Sequence, residues 1–433
     1  MKRFLWALVV LTVLLVPLTV SLAQDDDLPW WNDRVFYEIF VRSFYDSDGD
    51  GVGDIRGIIE KLDYLNDGDP TTTTDLGITG IWLMPINPSP SYHGYDTTDY
   101  RDIDPEYGTM DDFRELVSAA HERGIAIVID FVINHTSDEH PWFIASANGD
   151  PEYADWYIWR DENPGYRGPW GEQVWHRNGD RYYYGIFTGF QPDLNFENPE
   201  VTAAIYDIAN FWLTDVGIDG FRVDAAKHII EDGELQENTP QTRAWLADFN
   251  AYLDSVHPQA LTIAEIFRAP SFIGAEYVRS GAADLVFAFD VSDGIISSVS
   301  QNRAQDIVRK LQAALEDYPN GQFATFISNH DAVWKRRPMS IFVGNVDKAK
   351  LAATLLLTSP GVPFIYYGEE IGMFGTEPDE QVRTPMHWDD TPTTGGFTTA
   401  SRPWIALSET TGSVASMTDD PESLLSHYRH LVH

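Results

Sequence analysis

The chain contains no cysteine. Disulfides, thiolate metal sites and a lipid-modified N-terminal cysteine are therefore excluded, and stability falls to the core and to any oxygen-ligated metal. Basic residues are scarce: 29 Lys plus Arg stand against 67 Asp plus Glu, a formal net charge of −38. Such a surface repels phosphate backbones and anionic headgroups, so neither nucleic acid nor a stable membrane partner is expected, and a neutral ligand suits it. No Gly-rich phosphate loop follows a strand, which disfavours a nucleotide site. Beyond the N-terminus no segment is long and apolar enough to span a bilayer.

What is present begins with residues 1–23, which read as an export signal. Lys2 and Arg3 form the positive end, Phe4 to Val20 carry no charge, and Ser21-Leu22-Ala23 places small residues where a signal peptidase cuts. Cleavage after Ala23 and secretion, to the periplasm or the medium, are expected. The alternative is an uncleaved anchor, because the apolar run is nearly long enough to span.

After an acidic linker (Asp25 to Leu28), short apolar runs alternate with amphipathic stretches. Strands are predicted over Val35–Phe44, Ile78–Ile86, Ile125–Ile133, Asp219–Ala225, Leu261–Ile266, Leu285–Phe289, Phe323–Ser328 and Pro363–Tyr367. Helices are predicted over Ile55–Leu65, Met110–Arg123, Val201–Val216, Thr242–Val256, Ala304–Tyr318, Lys348–Thr358 and Glu422–His433. Eight strands, nearly all followed by helices, argue for an α/β fold closed as a (β/α)₈ TIM barrel. Residues 136–199 interrupt it. They are rich in Trp, Tyr, Gly and Pro, lack a sustained helical period, and read as a small irregular subdomain inserted after strand three. The expected organisation is a signal at 1–23, barrel at 24–135, insert at 136–199 and barrel again at 200–433.

Barrels of this class carry their chemistry at the C-terminal ends of the strands. Read there, the sequence gives acids repeatedly: Asp130, Asp224, Glu265 and Asp331. Buried acids are costly unless used or paired. Arg222 lies two residues before Asp224 on one strand, so both point to one side, and a guanidinium there favours the ionised form a nucleophile needs. Glu265 sits in an apolar context, where burial near other carboxylates keeps a proton on it, as a general acid requires. Two carboxyl groups with opposed environments make the pair of a retaining glycoside hydrolase. The alternative is a set of ion-paired or capping acids.

Asp46-Ser47-Asp48-Gly49-Asp50-Gly51-Val52-Gly53-Asp54 sets an acid at every second position up to Asp50, with glycines for the turn. It begins like a Ca²⁺ loop, with Asp46, Asp48, Asp50 and Asp54 as oxygen ligands and Val52 through its carbonyl. Position 12 is Gly57 rather than Glu and a strand precedes the loop, so it is not an EF-hand. The alternative is a solvated acidic turn.

These segments resemble the α-amylase family, family 13 of the glycoside hydrolases, over nearly the whole mature chain. Asp130-Phe131-Val132-Ile133-Asn134-His135, Gly220 to His228, Ala264-Glu265 and Phe326 to Asp331 are similar to its four principal signatures. Gln191-Pro192-Asp193-Leu194-Asn195 and Gly361 to Gly368 are similar to two further motifs. The resemblance implies that Asp224 is the nucleophile, Glu265 the acid/base and Asp331 the stabiliser of the transition state. It implies that His135, Arg222 and His330 hydrogen-bond the sugar at the cleavage point. Tyr95, in Tyr92-His93-Gly94-Tyr95-Asp96, would stack beneath that ring, with Asp96 counted beside it among the substrate-binding residues; simple packing is the alternative for Tyr95. Lys227 and His228 would contact sugar beyond the cleaved bond.

The acidic loop is similar to a calcium loop of oligo-1,6-glucosidase relatives, and a second calcium, held by Asn134, Asp193 and the carbonyl of His228, is implied by the α-amylase likeness. Any calcium would be structural. The implied substrate is an α-1,4-glucan such as starch. Gln191 to Asn195 and Arg383 to Trp388 resemble the oligo-1,6-glucosidase and neopullulanase side of the family, while His93 departs from it. The sequence reads as intermediate, and an α-1,6 hydrolase, a transglycosylase and a catalytically inactive binding relative stand as alternatives. Family members usually carry a C-terminal β-sandwich after the barrel, which this chain, ending at its last helix, is expected to lack.

Overall fold

The computed structural model describes residues 29–331 and 335–433. The export signal and the acidic linker lie outside the described residues. In chain order the strands are β1 (Phe36–Ile39), β2 (Gly80–Leu83), β3 (Ala126–Phe131), β4 (Trp159–Arg160), β5 (Trp175–Asn178), β6 (Arg181–Tyr184), β7 (Gly220–Val223), β8 (Leu261–Ala264), β9 (Leu285–Phe287), β10 (Phe323–Phe326) and β11 (Val362–Tyr366). Eight of them close into a parallel barrel in the order β1-β2-β3-β7-β8-β9-β10-β11, with β11 pairing back to β1. The (β/α)₈ fold is therefore as the alternation predicts.

Each barrel strand alternates its side chains between two apolar environments, which is why the strands read as continuous apolar runs. Inward residues such as Phe36, Trp82, Val128, Ile263, Phe287 and Phe364 form a cluster of their own inside the barrel. Outward residues such as Ile39, Ile81, Ile127 and Phe221 join the larger core shared with the helices. Phe36 stacks on Phe364 with centroids 4.7 Å apart. Its register partner on the other side is Gly80, where a Cβ would stand 2.4 Å from the Phe36 ring, so the interior closes only around a glycine.

Local signals set the helix ends. Thr109 and Asp112 make a reciprocal capping box at the start of Met110–Glu122, and Gly124, at φ 72°, follows its end. Pro199 and Pro240 open the helices Pro199–Asn210 and Pro240–Val256 behind the caps Asn198 and Thr239.

Four expectations need correction. The strand predicted over Val35–Phe44 stops at Ile39, and Val41–Phe44 turns into a short helix whose residues are all buried, leaving no polar face to show a period. The helix predicted over Val201–Val216 is α-helical to Asn210 and continues as a π-turn over Phe211–Val216. Helices Ser271–Arg279 and Phe289–Gln301 flank β9 and were not anticipated. The insert is more regular than its composition implies: it holds a helix over Pro141–Ala147, whose Phe143 joins the main core, and an antiparallel sheet in the order β4-β6-β5 with a small core of Val174, Trp175, Tyr184 and Ile186. A bridge between His135 and Asp193 ties it to the mouth of β3, and a bridge between Tyr157 and Leu194 lies within the insert itself. Among the described residues no helix is long and apolar enough to cross a membrane.

Candidate active site

Asp224 and Glu265 are the residues immediately after β7 and β8, and His330 and Asp331 lie on the loop after β10. Tyr95 comes from the loop after β2 and His135 from the loop after β3. All six line one cavity of about 280 Å³ at the C-terminal mouth of the barrel, together with Lys227 and His228. The strand ends thus bring together eight of the ten catalytic and substrate-binding residues predicted from the sequence, all but Asp96 and Arg222.

Arg222 lies beneath this cavity, 1% exposed, and does not line it. Its Nη1 donates to Asp224 Oδ1 at 2.6 Å and to Asp130 Oδ1 at 2.8 Å, and its Nη2 stands 3.2 Å from Glu265 Oε2. One cation thus serves three carboxylates at the floor of the cavity. Burial is the larger influence on Glu265 and pushes its carboxyl up to about 8; Arg222 opposes this, while Asp224 and Asp331 add to it. Asp130 is pushed up to about 7, again by burial against the pull of Arg222. Glu265 Oε2 also accepts the amide of Ala225 at 3.2 Å. Ala225 sits at φ 49°, a left-handed conformation that costs a non-glycine residue and is held by its neighbours beside the reacting groups.

A second chain of contacts crosses the mouth. Tyr95 donates its hydroxyl to Asp130 Oδ2 at 3.0 Å and lies 2.7 Å from His330 Nε2, its ring stacked on that imidazole. His330 Nδ1 is 2.6 Å from Glu38 Oε1, whose burial raises its carboxyl well above the usual range. Asp331 is reached by His330 Nε2 at 3.4 Å and by Arg383 Nη2 at 3.5 Å. Arg383 is itself held by Asp379 at 3.1 Å. His135 Nε2 donates to the carbonyl of Tyr95 at 2.8 Å, and burial lowers the pKa of the ring.

Asp96 is placed differently from the expectation. Its carboxylate accepts from Ser89 and Ser91 within its own loop, and it does not line the cavity. Lys227 Nζ pairs with Glu237 at 2.7 Å. His228 donates Nδ1–H to the carbonyl of Gln236 at 2.7 Å, and burial holds its pKa down to about 4, so the ring is neutral. Glu38, Asp379 and the cavity residues Trp170, Phe187 and Phe267 were missed. Glu38 left one signal, an acid in the apolar run Phe36 to Ile39; Trp170 left none among the other aromatic residues of the insert.

Two metal expectations can be set against donors. Carboxylate oxygens of Asp46, Asp48 and Asp50 lie within 4.8 Å of one another, a fit for an oxygen-seeking cation. Gly49 and Gly51, at φ 82° and 101°, bend the loop so that their amides reach Asp46 at 2.7 Å each. Asp54 falls outside this group: its oxygens take Ser47 at 2.8 Å and cap the helix Ile55–Glu60 through Gly57 N at 2.6 Å. Asn134, Asp193 and the carbonyl of His228 do converge, but the Asn134 amide nitrogen joins them, at 2.7 Å from His228 O and 3.4 Å from Asp193 Oδ2. Burial pushes Asp193 up to about 8, toward its neutral form. These three groups thus meet as the second calcium expectation has them, linked to one another by hydrogen bonds.

Residues 38–433 match the family described as Alpha amylase, catalytic domain. The chain belongs to the α-amylase family. It is 42% identical over 409 residues to Alpha-amylase 3 of Dictyoglomus thermophilum, covering 93% of this chain and 77% of that one. It is 35% identical to an oligo-1,6-glucosidase of Parageobacillus thermoglucosidasius, over 93% of this chain and 83% of that one. The crystal structure of an α-amylase from H. orenii superposes with a TM-score of 0.82 at 40% identity, over 93% of this chain and 81% of that chain. The protein is thus a glycoside hydrolase of the α-amylase family, with likenesses to both the amylase and the oligo-1,6-glucosidase branches.

Proposed function

We propose that the protein is an exported, retaining hydrolase of α-1,4-glucosidic bonds in starch and maltooligosaccharides. The observation that carries the chemistry is the single guanidinium of Arg222 shared by Asp224 and Glu265 at the floor of one cavity that also holds Asp331. In the first step Glu265 gives its proton to the glycosidic oxygen, the C1–O bond breaks, and Asp224 forms a bond to C1. In the second, water loses a proton to Glu265 and attacks C1, freeing Asp224 and the reducing sugar. Asp331 binds sugar hydroxyls as positive charge grows on the ring, and Tyr95 lies beneath it. A net charge of −38 is compatible with a neutral glucan. Lys227 and His228 favour the α-1,4 bond, and the relative named Alpha-amylase 3 agrees with that choice. Asp46, Asp48 and Asp50 would hold a structural calcium, which supplies cross-linking of the loop and takes no part in the reaction. The positive N-terminus and apolar run of residues 1–23 support export.

A second reading, an α-1,6 hydrolase or a transglycosylase, draws on Arg383 beside Asp331, on the Gln191 to Asn195 segment and on the relative named oligo-1,6-glucosidase. An inactive binding relative would have no need of Asp224, Glu265 and Asp331 together. The test is a product profile on amylose and, separately, on isomaltooligosaccharides, with Asp224→Asn as control. Short maltooligosaccharides from amylose, absent in the control, are expected. Glucose from the α-1,6 substrate alone would move the enzyme to the second reading. No product from either, with folded protein, would end the hydrolase assignment.

A further inference from the structure

We propose that Glu38 is a positioning residue that keeps the hydrogen of the His330 ring on Nε2, so that His330 meets the substrate sugar as a hydrogen-bond donor. This deepens the retaining-hydrolase reading above and rests on it for the identity of the ligand.

Glu38 stands where an apolar residue is expected. It follows Phe36 by two residues on β1, so it points into the barrel interior, where Phe36, Trp82 and Phe364 belong to an apolar cluster. It is 1% exposed, and a buried acid is costly unless it is used or paired. Its Oε1 takes both polar groups of one residue, the backbone N–H of His330 at 3.2 Å and the ring Nδ1 at 2.6 Å. The contact continues through that ring to the cavity. His330 lies edge-on to Trp82 at 5.6 Å and stacks on Tyr95 at 5.4 Å, which fixes its plane. Its Nε2 then faces two oxygens, the Tyr95 hydroxyl at 2.7 Å and Asp331 Oδ2 at 3.4 Å.

The hydrogens along this row can be counted. A phenol has one to give. Tyr95 gives it to Asp130 Oδ2 at 3.0 Å, because Arg222 holds the other oxygen of that buried carboxylate at 2.8 Å and favours its ionised form. Toward His330 the Tyr95 oxygen is therefore an acceptor, and Asp331 is another. Two acceptors around Nε2 require a hydrogen on it. A neutral imidazole carries only one, so Nδ1 is bare and needs a donor of its own. Glu38 is the group within reach, and it donates as the neutral carboxyl. Its surroundings agree. Burial raises Glu38 well above the usual carboxylate range, against the His330 amide and Arg222, while Asp331 and Asp130 add to the rise. Burial, with Arg222 and Arg383 beside it, holds His330 well below the usual imidazole range. The reverse arrangement, with hydrogens on Nδ1 and on Asp130, would set a bare Nε2 against Asp331 and a neutral Asp130 against Arg222. The row from Glu38 through His330 and Tyr95 to Asp130 thus runs one way, and it opens to the cavity at the His330 ring.

The first measurement is the position of the hydrogen itself, by ¹⁵N NMR of the full chain labelled at histidine. It is made at pH 8, above the value of about 7 for Asp130, with His330 assigned by the resonances lost in His330→Gln. A neutral ring with its hydrogen on Nε2 is expected. A hydrogen on Nδ1 with Nε2 bare, or a doubly protonated ring, would overturn the proposal. The second measurement is kcat/KM on maltopentaose. Glu38→Leu, similar in size but unable to donate, is expected to lose about tenfold, the size of one hydrogen bond. Glu38→Gln, whose amide nitrogen donates to Nδ1 while its oxygen takes the His330 amide, regains most of that loss and keeps the hydrogen on Nε2. A Gln variant as impaired as the Leu variant, or a Leu variant as active as wild type, would also overturn the proposal. If Glu38→Leu does not fold, the spectra of wild type and Glu38→Gln decide it. A folded wild type that leaves maltopentaose uncut would end the α-1,4 reading instead, and the spectra would still decide Glu38.

Discussion

As the acid of the proposed reaction, Glu265 has to hold a proton near neutral pH, and its surroundings provide for that. Burial pushes it up to about 8, against the opposing pull of Arg222. Activity limited by this acid is expected to fall as pH rises through about 8, because the form that protonates the leaving oxygen disappears; the alkaline limb of kcat/KM measures it. Glu265→Gln abolishes that limb and lowers amylose hydrolysis by roughly 10²-fold or more, the usual contribution of a general acid. On a glucosyl fluoride, whose leaving group needs no proton, the same variant retains the first step and accumulates the intermediate. Loss of both steps on the fluoride would contradict the assignment. The shared guanidinium adds a further effect. In the proposed reaction, a sugar bound covalently to Asp224 would remove one negative charge from the cluster around Arg222, the proton on Glu265 would be less favoured, and the residue would turn from acid to base for the second step.

The joints between elements carry predictions of their own. His121, at the end of the helix Met110–Glu122, meets Asp219, which precedes β7, at 2.8 Å, and the same carboxylate oxygen accepts the amide of Ile127 in β3 at 2.7 Å. The hydrogen bond to Asp219 raises the pKa of His121. Its stabilisation is fully present below the unfolded value of about 6.5 and is lost as pH rises through the higher folded value. Because the pair is part-exposed, His121→Ala is expected to cost no more than about 1 kcal/mol at pH 5 and nothing measurable at pH 9, read from urea unfolding at both. A loss that is the same at both pH values would contradict this. The acidic loop gives a second test. If calcium links Asp46, Asp48 and Asp50, EDTA lowers the Tm of wild type but leaves that of an Asp48→Asn, Asp50→Asn double variant unmoved. Equal behaviour of the two would remove calcium from this loop.

Elements of this kind differ in how plainly the sequence declares them. Met110–Glu122 was legible because Phe113, Leu116, Val117 and Ala120 mark one face and Thr109 its start. Phe289–Gln301 was not, because eight of its residues are buried, Gly294 and four serines among its thirteen residues blur the stripe, and it starts one residue after a strand. The catalytic carboxylates were legible because they follow strands of a closed barrel. The place of Trp170 on the cavity wall was not, because it depends on a hairpin and on Gln236, which the chain brings to that hairpin from 66 residues beyond Trp170.

At the scale of the whole molecule, the buried acids act together. Asp130 is pushed up to about 7, and Asp193, Glu265 and Glu369 each up to about 8, in every case chiefly by burial. In the unfolded chain such groups release their protons near pH ~4. Between that point and pH 8 the folded state binds more protons than the unfolded one, so stability falls as pH rises. Self-repulsion at a net charge of −38 works in the same direction and is screened by salt. Tm is expected to drop from pH 5.5 to pH 8.5 and to recover in part on adding salt; a Tm that rises over this range would contradict the account. The seam of the barrel has one more consequence. β1 pairs with β11, and Glu38 on β1 holds His330 from 292 residues further along the chain. During refolding, contacts between such distant segments form slowly, because a long loop must close before they give any return. Catalysis therefore comes last: a partly assembled chain with most of its helices and strands in place still has no seat for the sugar, and the regain of activity times the closure of the cylinder.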